Sequence, residues 1–177
     1  MTQSALPSDL HTFSLVTRDR PGVLVRIALV FARRSYNIES LAVSPGVLEG
    51  FARMTIVSRG NPENIEQIVK QLGKLIDVVF VTDHRGEDPV EAEAALCKLR
   101  CEGEQRSRAL SVVERYGAHV VHDGTERIVV AIHGTSAQVS ELLDALRPFN
   151  LEEFVRSGRI VMDRGISQFA HLMGGHG

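Results

Sequence analysis

The chain has 177 residues, 44% hydrophobic and 24% charged, with a formal charge of −2. That length suits one medium domain or two small ones, the composition supports a packed core and excludes global disorder, and the near-neutral balance makes no case for nucleic acid. The longest apolar runs, such as residues 128–132, are too short to span a bilayer. The first nine residues have neither a basic nor an apolar leader region, so a cytoplasmic location without membrane contact is expected.

A β-type run over residues 11–18 comes first. Pro21 lacks an N–H that a first helical residue would leave unbonded, so a helix is expected to start there. Its apolar stripe is Leu24, Ile27, Ala28 and Phe31. Strand-like runs follow at 38–44 and 51–59. Asn61 suits an N-cap and Pro62 a first helical residue. That second helix carries Ile65, Ile68, Val69 and Leu72 on one face and ends at Gly73, where a left-handed residue is wanted. A run over 75–83 closes the first half.

Residues 85–89 (Arg-Gly-Glu-Asp-Pro) are polar and carry Gly and Pro, which marks a domain boundary. Beyond it come a strand over 95–102 and a helix with Ala109, Val112, Val113 and Tyr116 on one face, closed by Gly117. Strands at 118–123 and 126–133 follow. Thr135 and Gln138 form a capping box before a helix with Val139, Leu142, Leu143 and Leu146 inward. Strand runs at 151–156 and 159–163 end the series. The order βαββαβ occurs twice, which is the ferredoxin-like topology in tandem, an α+β fold. The expected organisation is a domain over 10–84, a linker over 85–91, a second domain over 92–165 and a flexible tail over 166–177.

Catalytic chemistry has little to stand on. Cys97 and Cys101 are the only cysteines. On one strand their Cα atoms would be about 13 Å apart, too far for a disulfide, so buried reduced thiols are expected. No CxxC or HxxxH supplies further zinc ligands, so no metal site is expected. Phosphate loops of the GxxxxGK[ST] or GxGxxG kind and the GxSxG elbow are missing, so no catalytic residue is assigned.

The informative segment is Arg18-Asp19-Arg20-Pro21-Gly22-Val23-Leu24, between the first strand and the first helix. Gly22 lets a ligand approach the exposed N–H groups of the first helical turn, which favour a carboxylate. Asp19 could receive an ammonium, and the two together are what a free amino acid requires. The plain alternative is an ordinary helix start with Gly22 there for close packing.

The run Asp19-Arg20-Pro21-Gly22-Val23-Leu24 resembles the first loop of ACT domains, small amino-acid-binding modules. Tyr36-Asn37-Ile38-Glu39-Ser40-Leu41, Arg53-Met54-Thr55-Ile56, Lys70-Gln71-Leu72, Lys74-Leu75, Asp77-Val78, Arg156-Ser157-Gly158 and Arg164-Gly165 resemble the regulatory (small) subunit of acetolactate synthase. This resemblance covers about residues 10–165. It implies an ACT domain followed by a second ferredoxin-like domain. It also implies a non-catalytic chain that binds a large catalytic subunit, raises its activity and confers feedback inhibition by valine or a related branched-chain amino acid. Thiamine diphosphate, magnesium and FAD would belong to that partner, and no cofactor to this chain.

The family's effector site lies where two ACT domains meet in a homodimer. The matching positions are Asp19, Arg20, Pro21, Gly22, Val23 and Leu24 on the loop, with Asn37 and Ile38 at the start of the second strand. Asn37 suits the ligand's polar end and Ile38 its aliphatic end. Asn37 also suits a left-handed residue at a helix C-terminus. Asp19 departs from the family, where asparagine is common. It keeps an acceptor, loses the amide donor and adds negative charge. A free-standing ACT-type sensor acting on another enzyme is the alternative function.

Overall fold

The computed structural model describes residues 9–85 and 88–165. The first half contains β1 (Asp9–Arg18), α1 (Val23–Ala32), β2 (Ile38–Pro45), β3 (Phe51–Gly60), α2 (Pro62–Leu72) and β4 (Val78–Asp83). The second contains β5 (Val90–Arg100), α3 (Gly103–Arg115), β6 (His119–Asp123), β7 (Arg127–Gly134), α4 (Ser136–Leu146) and β8 (Leu151–Arg156), with a 3-10 turn at Arg147–Phe149 and a short β9 (Ile160–Met162). Each half is a βαββαβ unit. The sheet orders are β2-β3-β1-β4 and β6-β7-β5-β8, and the pairs along both orders are antiparallel. No helix among the described residues is long and apolar enough to cross a membrane.

Strand alternation puts Phe13, Leu15, Met54 and Ile56 on the face that α1 and α2 cover. They meet Val23, Ile27 and Phe31 from α1 and Ile65, Ile68 and Leu72 from α2. Phe13 and Phe31 pack edge to face with centroids 5.7 Å apart. The second unit repeats the plan. Ala95, Cys97, Leu99, Ile128 and Val130 face Ala109, Val113, Val139, Leu142 and Leu146. Thr135 and Gln138 form the expected capping box at α4.

Several local expectations change. α1 starts at Val23, not Pro21, and its buried stripe is Val23, Ile27 and Phe31, whereas Leu24 is 40% exposed. Gly117 is left-handed at φ +66°, but Gly73 is not. β4 starts at Val78 because residues 75–77 form turns, with Leu75 N–H bonded to Leu72 O and Val78 N–H to Leu75 O. β5 starts at Val90, five residues early, because Glu91 and Glu93 fall in register with Ala95, Cys97 and Leu99. Cys97 and Cys101 are buried free thiols, and burial pushes both above the ordinary thiol pKa.

By its packing the chain divides at Val90/Glu91, and residues 161–165 group with the first unit. Polar contacts link this stretch to the first unit. Arg53 Nη2 donates to Val161 O at 2.9 Å. His84 pairs with Asp163 at 3.1 Å through Nδ1 and meets Ser14 Oγ at 2.8 Å through Nε2. Arg164 Nε donates to Asp88 O at 2.7 Å. Residues 86 and 87 of the linker and the tail over 166–177 lie outside the described residues.

Within the second unit, Glu93 is buried on β5 and accepts from Arg156 Nε and Nη2, each at 2.7 Å. Arg156 Nη1 also donates to Ser140 Oγ on α4 at 3.1 Å. Burial pushes the Glu93 carboxyl up, but the hydrogen bonds from Arg156 and Ser136 and the charges of Arg156 and Arg159 outweigh it and hold the group below the ordinary range. The Arg156-Ser157-Gly158 motif thus ties β8 to β5 and α4.

Candidate functional site

The loop between β1 and α1 is a turn before it is a helix. Val23 N–H donates to Arg20 O at 3.3 Å, and Gly22 has φ +83° and ψ −7°. These are the features of a type II turn with Pro-Gly at its two central positions. The left-handed third residue of such a turn is why glycine stands there. The first turn of α1 then begins without a side-chain cap and without an acidic residue. Arg26 N–H bonds Gly22 O, which leaves the Leu24 and Val25 amides as the open donors of the first turn. Pro21 and Gly22 are exposed, as are Asp19 and Arg20. The Asp19 amide donates to Gly50 O at 2.8 Å, which anchors the loop to the β2–β3 connection. Of the loop residues picked out by sequence, Val23 is 3% exposed and belongs to the core.

The second unit supplies an internal control. The corresponding helix, α3, has Glu102 at its N-cap and Glu104 in its first turn. Two carboxylates already sit at that positive helix end, which disfavours a further anion. The α1 terminus carries no such charge.

Asn37 and Ile38 are built by a different device. Tyr36 N–H bonds Phe31 O and Ser35 N–H bonds Ala32 O, the paired bonds of a Schellman ending. The left-handed residue is Ser35 at φ +57°, not Asn37. Asn37 is therefore released from capping. It is exposed, its side chain has no partner among the described residues, and its carbonyl accepts from the buried Ser58 Oγ at 2.7 Å. Tyr36 lies against Gly60 so closely that a Cβ there would stand 1.8 Å from its ring. Ile38 is half-buried against the core.

The two groups of site residues lie at opposite ends of the sheet. Arg18, just before the loop, pairs with Phe51 at the start of β3. Ile38 pairs with Ser58 near its end. Seven residues of β3 separate them, about 23 Å at the rise of a strand. One protomer does not bring Asp19 and Gly22 to Asn37. Sequence also missed Arg26. Its Nη1 lies 3.4 Å from where a side chain at Gly22 would begin, and its Nη2 donates to Asp77 Oδ2 at 2.5 Å. The only sequence signal was its spacing, one helical turn past Gly22. Among the described residues, no three His, Cys, Asp or Glu side chains gather as a metal site.

Comparisons with known proteins cover both units. A family described as the AHAS small subunit-like ACT domain matches residues 13–80. One described as the small subunit of acetolactate synthase matches residues 92–165. The acetolactate synthase small subunit of Mycobacterium leprae is 39% identical over 155 residues, covering 88% of this chain and 92% of that protein. A probable acetolactate synthase small subunit of Methanothermobacter thermautotrophicus is 36% identical over 158 residues, covering 89% and 94%. The crystal structure of the acetolactate synthase small subunit from Thermotoga maritima aligns with a TM-score of 0.79 at 32% identity, over 89% of this chain and 99% of that one.

Proposed function

The chain belongs to the family of acetolactate synthase small subunits, and from that premise we propose that it is the non-catalytic regulatory subunit of such an enzyme. It binds a large catalytic subunit, raises its activity and makes it sensitive to a branched-chain amino acid, with valine the first candidate. Thiamine diphosphate, magnesium and FAD reside on the catalytic partner, in the cytoplasm. The ACT domain is the first unit, and its effector site takes Asp19 and Gly22 from one protomer with Asn37 and Ile38 from another.

The observation that carries this reading is the division of the site between the two ends of one sheet. β2 is an edge strand, so its outer backbone groups are open to a second copy. When two β2 strands pair antiparallel about a two-fold axis, residue 38 of one copy lies by residue 45 of the other. Pro45 pairs with Ala52, at the end of the sheet that holds the Pro-Gly loop. The separation within one copy thus becomes proximity between copies. Leu24, Val25 and Leu29 on α1 and Val43 on β2 are exposed large hydrophobics that such pairing would cover.

A ligand held by both protomers favours one placement of them over others, by its difference in affinity. If the catalytic subunit prefers a different placement, effector binding and activity are linked, and a coupling of about 1–3 kcal/mol suffices.

Mixing two damaged proteins tests the shared site. Gly22→Asp and Asn37→Ala protomers are co-refolded in equal amounts and titrated with valine. A heterodimer then has one site carrying both lesions and one carrying neither. Valine binding at wild-type affinity should return in about one quarter of the sites. No recovery on mixing, with both variants folded and dimeric, contradicts a shared site.

A further inference from the structure

Arg26 is half-exposed, and a free arginine there would sample many rotamers. It is held instead by Asp77, whose side chain is 9% exposed. Asp77 is itself fixed, because its backbone carbonyl accepts the Arg18 N–H at 2.8 Å. The carboxylate that orients Arg26 is thereby tied to the end of β1 that leads into the Pro-Gly turn. A guanidinium offers five N–H donors. Asp77 engages Nη2, and Nη1 has no partner among the described residues. That open end lies over Gly22, in space that any other residue would begin to fill.

We infer that Arg26 is the charged anchor for the effector's carboxylate and that Asp77 is the residue that positions it. The inference rests on the effector reading above and narrows it. The ligand stays the branched-chain amino acid proposed above, and its ionised carboxylate is the group that the Arg26 fork recognises together with the Leu24 and Val25 amides. Planar guanidinium–carboxylate recognition is directional, and a pre-set fork loses less freedom on binding. Asp77 and Arg26 thereby acquire a shared role. The competing role is an ion pair that only ties α1 to the start of β4.

The test uses the full chain and two ligands, L-valine and L-valinamide, the second lacking the ionised carboxylate. Isothermal titration of the wild type should show valine preferred by about tenfold or more. Arg26→Gln should weaken valine about ten- to a hundredfold and remove the preference over valinamide. Arg26→Lys should recover part of both, as a point charge without the fork. Asp77→Asn should weaken valine severalfold and reduce the preference, because the fork is no longer held. A purely structural ion pair would lower the melting temperature without changing the ratio of the two ligands. If Arg26→Gln and Arg26→Lys both fold and leave that ratio and the valine affinity unchanged, while Gly22→Asp abolishes binding, the Arg26 role is wrong and the effector reading stands. If the wild type binds no valine, leucine or isoleucine, the effector reading fails and takes the Arg26 role with it.

Discussion

A Gly22→Asp protein should lose its response to valine while still raising the turnover of the catalytic subunit. Three effects act together. The new Cβ begins 3.4 Å from Arg26 Nη1, so the side chain occupies the space above the turn. Its carboxylate is an internal competitor for Arg26 and for the positive end of α1. Losing charge-assisted hydrogen bonds costs the ligand about 1.5–3 kcal/mol, roughly ten- to a hundredfold in affinity, before any repulsion is counted. The fold should survive with a lower melting temperature. A non-glycine residue at φ +83° is strained by about 1–2 kcal/mol, and aspartate tolerates the left-handed region better than most. Inhibition curves and thermal melts separate the outcomes. A folded variant with unchanged valine inhibition would remove this loop from the effector site.

Phe31→Ala should destabilise the first unit by about 3–5 kcal/mol, the usual cost of emptying a fully buried aromatic position. Phe31 is fully buried and stacks edge to face on Phe13. Typical domain stability is about 5–15 kcal/mol, so the unit would be left near its unfolding threshold. Leu24→Ala, at a 40% exposed position, should cost the isolated protomer less than about 1 kcal/mol. The effector response should fall with Phe31→Ala because α1 carries the Pro-Gly turn, whereas the second unit keeps its own core. Denaturant unfolding of the two variants checks this. Equal costs at positions 24 and 31 would contradict the Val23–Ile27–Phe31 stripe.

The tandem fold was legible because hydrophobic period and chain punctuation agree in most elements. Pro62 at the first position of α2, the Thr135–Gln138 box and the four inward residues of α4 each stand where the pattern put them. The errors were conformational. Pro-Gly is both a helix-start signal and a type II turn signal, and here the turn wins because Arg20 O accepts from Val23 N–H. That moves the helix start by two residues and turns the stripe from Leu24 to Val23. Asn37 and Ser35 could each have taken the left-handed position, and Asn is the commoner choice. Serine takes it here, which leaves the Asn37 side chain free. Residues 75–77 look strand-like by composition, yet Ile76 is 92% exposed and the turns around Leu75 and Val78 absorb the backbone bonds. Arg26 carried no local signal beyond its spacing from Gly22, because its partner Asp77 is distant in sequence and only the fold joins them.

Reconstitution with the cognate catalytic subunit tests the regulatory role most directly. Acetolactate formation from pyruvate is measured with thiamine diphosphate, magnesium and FAD present, for this chain alone, for the catalytic subunit alone and for the mixture, each with and without valine. The account predicts no product from this chain alone, faster turnover in the mixture than in the catalytic subunit alone, and valine inhibition only in the mixture. Product formed by this chain alone, or a mixture no faster than the catalytic subunit, would contradict it.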